Sequence, residues 1–398
     1  MKKKYFVSLS IVFLTFLFFT ISCSNIHKIE NSKYYDLVVS TDKDRIINDA
    51  EKYLHLEPIT ITASFSERSL GTKHDFYSEG DYWWPNPISP DSPYVRRDGL
   101  TNPDNFKDHR IAMRNMSIYV AALTSAFKIT NDKKYSDKVV AHFKAWFVNP
   151  ETKMNPSMNY SQAIKGICAG RGIGLIDAIH LVEPARCVSV LKNLNAISNE
   201  DFNSIKKWFE EFLYWMNNSQ FGIDERETLN NHATAWIMQA SEYAKLTEKI
   251  EILEYCSKTF KERIIPTQVA ADGSFPLELK RTKPYGYSLF NMDLFTTICQ
   301  ILSTEENNLW EFQLADGRGM KKVMEFIFPY IEDKSKWMLP ADVMYWDEWP
   351  VRHPSLLFAG IKYNKAEYLN IWKILPPLPK TDEGIRNFPI RQPILWID

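Results

Sequence analysis

Asn230-Asn231-His232-Ala233-Thr234-Ala235-Trp236-Ile237-Met238-Gln239-Ala240 opens a segment, running on to Lys249, whose reading decides the fold. It predicts a helix over 230–249, with Asn230 or Asn231 as a favoured N-cap. His232 falls in the first turn, where free backbone N–H groups and the helix macrodipole favour an anion. An amide, an imidazole and a helix N-terminus aimed together make a seat for a carboxylate. The alternative is a capped helix whose histidine only packs.

Outward from this segment the same pattern repeats. Helices are expected over about 105–130, 132–148, 158–182, 185–196, 199–218, 250–264, 288–303, 319–333, 354–363 and 365–374, with a short one at 44–54. In the 199–218 segment Ile205, Trp208, Phe209, Phe212 and Trp215 recur at three and four. Some helices are apolar on more than one face, as the helices of a double-layered ring are. Helix pairs of roughly forty residues recur without a fixed sequence repeat, so a superhelical solenoid is the alternative. The fold class read from the pattern is all-α.

Composition bounds the function. The 398 residues are 45% apolar, enough for a large core. The 12 Trp and 19 Tyr fit a carbohydrate surface as well as a core. Net charge is −1, or −4 once the three lysines of the N-terminal segment are subtracted, so no global basic field draws nucleic acid. A polyanionic partner would need a local basic cleft.

Lys2, Lys3 and Lys4 precede an apolar run, Tyr5 to Ile21, too short for a confident membrane span. It ends in Thr20-Ile21-Ser22-Cys23-Ser24-Asn25, which looks like a bacterial lipobox with Cys23 as the lipidated first mature residue. The organisation read from this is a lipoprotein signal peptide over 1–22, a tether over 23–43 and one domain over 44–398, held at the cell envelope by lipid alone. A plain secretory signal cut elsewhere is the alternative. The remaining cysteines (Cys168, Cys187, Cys256, Cys299) are scattered and expected as buried thiols. No zinc spacing or calcium loop is visible, and no metal or cofactor is expected.

Four further stretches carry chemistry. Asp272-Gly273-Ser274-Phe275-Pro276-Leu277-Glu278-Leu279-Lys280-Arg281-Thr282-Lys283-Pro284-Tyr285-Gly286-Tyr287 is a Gly-, Pro- and basic-rich loop ending in tyrosines before a helix. The aperiodic segment Asp75–Asp104 contains Tyr82-Trp83-Trp84-Pro85-Asn86-Pro87 and Arg96-Arg97-Asp98-Gly99. There Trp83 or Trp84 could stack on a sugar and Arg96 or Arg97 grip a carboxylate fork to fork. The alternative is that the tryptophans wedge the loop in place while Arg97 pairs with Asp98. Residues 154–177 hold Asn159, Tyr160, Gln162 and Arg171, with Gly170, Gly172 and Gly174 marking close packing or ligand approach. Met344–Pro354 holds Asp347, Glu348 and Arg352.

Together these motifs resemble the alginate lyase family, over roughly Asp75 to Pro354. The resemblance implies an α/α toroid and β-elimination on an anionic uronic-acid polysaccharide. It implies that Asn231 and His232 hold the uronate carboxylate with Arg281 beside them, and that Tyr287 moves the proton. It also implies a groove lined by Trp83, Trp84, Asn86, Arg96, Arg97, Asn159, Tyr160, Gln162 and Arg171, with Asn230 and Arg352 as further substrate contacts. Tyr285 is a rival to Tyr287, which is preferred because the family's tyrosine is followed by Ser-Leu-Phe-Asn, as here.

The chemistry asks for such residues. Elimination requires the carboxylate on C5 neutralised, a base for the C5 proton and an acid at O4. A tyrosine, with its ordinary pKa of about 10, needs a cation such as Arg281 to favour the phenolate. Mannuronate and glucuronate share the C5 configuration and suit syn elimination by one tyrosine. Guluronate inverts C5, and His232 could then be the base on the opposite face. The rivals are a toroid glycoside hydrolase using an Asp/Glu pair, such as Asp347 and Glu348, and a non-catalytic glycan-binding lipoprotein.

Overall fold

The computed structural model describes residues 33–89 and 91–397. The expected signal peptide (1–22), Cys23 and the first part of the tether lie outside the described residues.

Fifteen helices are named in chain order. Helix α1 spans 33–54, so the stretch expected as a tether is helical from residue 33 and buries Val38, Asp42 and Ile46. Then follow α2 (Asp108–Thr130), α3 (Lys133–Phe143), α4 (Val182–Asn193), α5 (Asn199–Asn218) and α6 (Gln220–Arg226). The central part holds α7 (Asn231–Thr247), α8 (Ile250–Thr259) and the short α9 (Ile265–Gln268) and α10 (Pro276–Leu279). The chain ends with α11 (Pro284–Leu302), α12 (Met320–Glu332), α13 (Pro354–Lys362), α14 (Ala366–Ile374) and α15 (Asp382–Arg386).

Two layers follow from which helices touch. Helices α2, α4, α7, α11 and α13 contact one another in succession and form an inner wall. Outside them α3, α5, α8, α12 and α14 each pack on an inner neighbour. Burial matches the layers. Every residue of α11 except Gln300 is buried, and every residue of α7 except His232 and Lys245. Outer α5 buries only one stripe, Ile205, Trp208, Phe209, Phe212, Leu213 and Met216. This is an incomplete α/α toroid. Its open side is bridged by α1 and the C-terminal segment: Lys128 of α2 donates to the carbonyls of Ile394 and Ile397, and Trp396 packs on Phe358 of α13.

Two expected helices are corrected. The 158–182 segment is not one helix: Tyr160–Ala163 is a strand (β4) paired in parallel with β1 (Tyr77–Glu79), and Gly172–Leu181 is a 3₁₀ segment. The glycines permit this close packing, since a Cβ on Gly170 would fall 2.1 Å from the Asn159 carbonyl oxygen and one on Gly174 2.4 Å from Ser161 Oγ. Helix α11 begins at Pro284, four residues before the expected Ser288. Pro suits a first turn, and the Asp342 carboxylate accepts from the N–H groups of Tyr285 and Gly286. That cap comes from 56 residues downstream and no local signal announces it.

A second ribbon covers the mouth. Strands β2 (Trp83–Trp84) and β3 (Val95–Arg96) pair antiparallel, Trp83 opposite Arg96. Among the described residues no helix is long and apolar enough to cross a membrane.

Candidate active site

A cavity of about 260 Å³ lies between the inner helices and the β2–β3 ribbon. Its walls carry six arginines (Arg96, Arg110, Arg114, Arg171, Arg281, Arg386) against two carboxylates, Asp81 and Asp177. A basic cleft therefore sits in a chain with no net basic charge.

Helix α7 delivers the first pair of side chains. Asn230 is its N-cap, the side-chain oxygen accepting from the His232 N–H. Asn231 is fixed by Glu278 of α10, which accepts from both its backbone N–H (2.8 Å) and its amide Nδ2 (2.6 Å). One amide hydrogen remains for a ligand. His232 Nδ1 lies 2.9 Å from Oε1 and 3.0 Å from Oε2 of Glu225 on α6. A carboxylate accepts only, so Nδ1 carries a proton, and in the neutral ring the lone pair is on Nε2. Burial pushes both glutamates above the ordinary carboxylate range, while their donors, His232 and Asn231, pull them back.

Helix α11 delivers Tyr287. Residues two apart on a helix point about 200° apart, which separates the two tyrosines. Tyr287 faces the cavity. Tyr285 turns into the core, wholly buried between Trp337 and Trp346, its hydroxyl donating to the Tyr330 carbonyl. Tyr285 is therefore a packing residue and not a substrate contact.

Arg281 lies over the Tyr287 ring, guanidinium carbon 4.5 Å from its centre, with Nη2 3.5 Å from the hydroxyl. The expectation that Arg281 would favour the phenolate is half met. Burial raises the Tyr287 phenol more than Arg281 lowers it, so the resting hydroxyl is protonated. Arg281 is itself held by Asp98, which Arg96 also contacts.

The remaining expected groove residues divide. Trp83, Arg96, Gln162, Arg171 and Asn230 line the cavity with Asn231, His232, Arg281 and Tyr287. Gln162 takes a left-handed backbone (φ 49) to present its amide between Arg171 and Asp177. Six others are absent from its walls. Trp84 donates to the Leu100 carbonyl and stacks under Arg97, so Arg97 pairs with an aromatic ring and not with Asp98. Asn86 closes its own turn onto the Ile88 N–H. Asn159 accepts from Trp215, and the Tyr160 ring fills the space left by Gly71. Arg352 pairs with Asp42 of α1. The acids of the hydrolase rival are elsewhere too: Glu348 accepts from the N–H groups of Lys380 and Thr381 ahead of α15, and neither it nor Asp347 lines the cavity.

Sequence reading missed Glu225, Glu278, Tyr82, Arg110, Arg114, Glu383 and Arg386. Two had a signal. Arg110 and Arg114 stand four apart, hence on one face of a helix that is otherwise buried by apolar and small residues. The rest come from distant segments with no local pattern. Among the described residues no group of three or more His, Cys, Asp or Glu could hold a metal ion.

Comparison with known proteins agrees with this fold. The family model for alginate lyase matches residues 60–337. The crystal structure of an alginate lyase from Bacteroides ovatus superposes with a TM-score of 0.81 at 30% identity, over 93% of this chain and 97% of that one. Alginate lyase A1-III from Sphingomonas species A1 shares the fold at 12% identity, with a TM-score of 0.55 over 89% of this chain and 94% of that one. A variant of A1-III complexed with a tetrasaccharide gives 0.57 at 13% identity, over 87% of this chain and 89% of that one. No curated protein sequence matches the chain. With the family match covering well over half its length, the chain belongs to the alginate lyase family.

Proposed function

We propose that this polysaccharide lyase cleaves a β-linked polyuronate, a mannuronate- or glucuronate-type block, by β-elimination through Tyr287. The observation that carries the reading is that Asn231, His232, Arg281 and Tyr287 share one arginine-lined cavity. The uronate carboxylate takes the free amide hydrogen of Asn231 and the charge of the neighbouring cations, which acidifies the C5 proton. Tyr287 as phenolate removes that proton. The C5–H electron pair becomes the C4–C5 double bond, the C4–O4 bond breaks, and the proton passes from Tyr287 to O4 of the leaving sugar. Side chains supply all the neutralising charge this scheme needs.

A second assignment is favoured by the His232–Glu225 pair. In the neutral ring Nε2 is a base, and Tyr287, protonated at rest, is an acid already in place. For a C5 proton on the opposite face, as in guluronate, His232 would take it while Tyr287 protonates O4. The lipid anchor at Cys23 and an envelope location remain part of the proposal on the lipobox alone.

The test is ultraviolet absorbance of protein lacking residues 1–23 with polymannuronate, polyguluronate and glucuronan. Absorbance from a new C4–C5 double bond is expected, and the responding polymer names the substrate. New reducing ends without that absorbance would make the reaction hydrolysis and end the tyrosine mechanism.

A further inference from the structure

Tyr287 has a neighbour that the scheme above does not use. The hydroxyl of Tyr82, beside the β2–β3 ribbon, lies 2.7 Å from that of Tyr287 and 3.3 Å from Oε1 of Glu383 on α15. Behind it Lys283 and Glu383 form a buried ion pair at 2.9 Å, 4% and 5% exposed, with Lys283 Nζ 3.4 Å from the Tyr82 oxygen.

A phenol has one hydrogen to give, and Tyr82 has two acceptors in reach. While Tyr287 is protonated, it donates to the Tyr82 oxygen and Tyr82 donates to Glu383. Once Tyr287 is a phenolate it can only accept, and Tyr82 keeps the contact by turning its hydrogen toward Tyr287. Glu383 is not then orphaned, because Lys283, Arg386 (3.0 Å) and Asn387 (3.4 Å) still donate to it.

We infer that Tyr82 is a positioning residue that matches both protonation states of Tyr287 by rotating one hydroxyl, with the Lys283–Glu383 pair holding its resting orientation. The inference rests on the lyase reading. Tyr82 keeps its own proton throughout; the transferred proton travels only from C5 to Tyr287 to O4.

The charged groups facing this pair come from three directions. Arg281, held by Asp98, covers the Tyr287 ring. Lys283 lies on the approach to α11, near the rings of Tyr82, Tyr287 and Tyr345. Glu383 and Arg386 come from α15. Tyr82 and Arg281 favour the Tyr287 phenolate, and the Glu383 charge opposes it.

Those opposite signs make the test. The pH profile of kcat/KM is measured on the full chain and on Tyr82→Phe and Glu383→Gln, using the polymer the wild type cleaves. Activity that needs the Tyr287 phenolate rises with pH. Tyr82→Phe removes a donor to the phenolate, so the rising limb is expected to move up by about one pH unit, with kcat at neutral pH falling about tenfold and KM changing little. Glu383→Gln removes a neighbouring negative charge and is expected to move the limb down. A merely structural role would not displace two variants in opposite directions. Limbs that stay put, move together, or a loss confined to KM overturn the inference while elimination by the wild type stands. If Tyr82→Phe does not fold, the direction of the Glu383→Gln shift alone decides. A wild type that forms no unsaturated product on any polymer overturns the lyase reading, and this inference with it.

Discussion

Nδ1 of His232 sits 2.9 Å from a carboxylate, Glu225, that has no solvent exposure. Apart from the histidine and Lys245 every residue of α7 is buried, and α6 supplies the histidine's orienting acid. The pair fixes the tautomer. In Glu225→Gln the amide can donate to Nδ1 and move the hydrogen to Nε2. If His232 is the base for guluronate, activity on polyguluronate should fall about 10²-fold or more, with polymannuronate affected less. Equal losses on both polymers would assign His232 to the carboxylate alone. Initial rates on the two polymers decide.

Tyr287→Phe should abolish formation of unsaturated product, because of the two phenols on the cavity wall, Tyr82 and Tyr287, it is Tyr287 that has the Arg281 guanidinium over its ring. Tyr285→Phe is the contrast. It loses one hydrogen bond to the Tyr330 carbonyl and should cost about 1 kcal/mol of stability with activity retained. The reverse result in activity assays would transfer the proton-moving role to Tyr285.

These two tyrosines mark what sequence could read. The long helices, the two-layered pattern and the cap at Asn230 rest on local signals of period and capping, although twelve helices are expected where fifteen form; the roles of Asn231, His232, Arg281 and Tyr287 are what the family resemblance implies. What was not legible depended on tertiary partners. Trp84, Asn86, Arg97, Asn159, Tyr160 and Arg352 are residue types that bind sugars, yet each is occupied by a neighbour from its own loop or a distant element. Glu225 and Glu278 look like surface acids in sequence. Only the approach of α6 and α10 to the start of α7 makes them orienting groups.

His142 predicts the acid limit of stability. It is 1% exposed, neither ring nitrogen has a hydrogen-bond partner among the described residues, and burial lowers its pKa from 6.5 to about 4. A depressed folded pKa stabilises above the unfolded value and loses that stability as pH falls toward the folded one. Between pH 6.5 and about 4 this group should therefore remove stability, on the order of 3 kcal/mol. Thermal melts of His142→Phe across that window should fall less steeply than the wild type. Parallel curves would mean the ring finds a partner when charged.

Cys23→Ala should release the protein from membranes if the lipobox is used. Fractionation of cells expressing both forms, with labelled fatty acid, checks it. Label that persists in the variant would move the anchor elsewhere, and no label in either form would leave a plain secretory signal.

Arg171 offers the sharpest test of how the cavity binds charge. Of the arginines on its walls, Arg96, Arg110, Arg114, Arg281 and Arg386 each have a carboxylate in ion-pair contact. Among the described residues Arg171 has none; it donates only to the carbonyl and amide oxygen of Gln162 and lies 5.9 Å over Trp83. A paired arginine has already spent much of its attraction for a substrate carboxylate, whereas Arg171 has Asp177 only at a remove, behind the Gln162 amide. A hydrogen bond to a charged group contributes about 1.5–3 kcal/mol, so Arg171→Ala should raise KM by roughly tenfold to a hundredfold. A contact made equally in ground and transition states would leave kcat little changed. Arg171→Lys should recover only part of the loss, since the forked geometry is gone. A fall in kcat with KM unchanged would instead put Arg171 beside the reacting atoms.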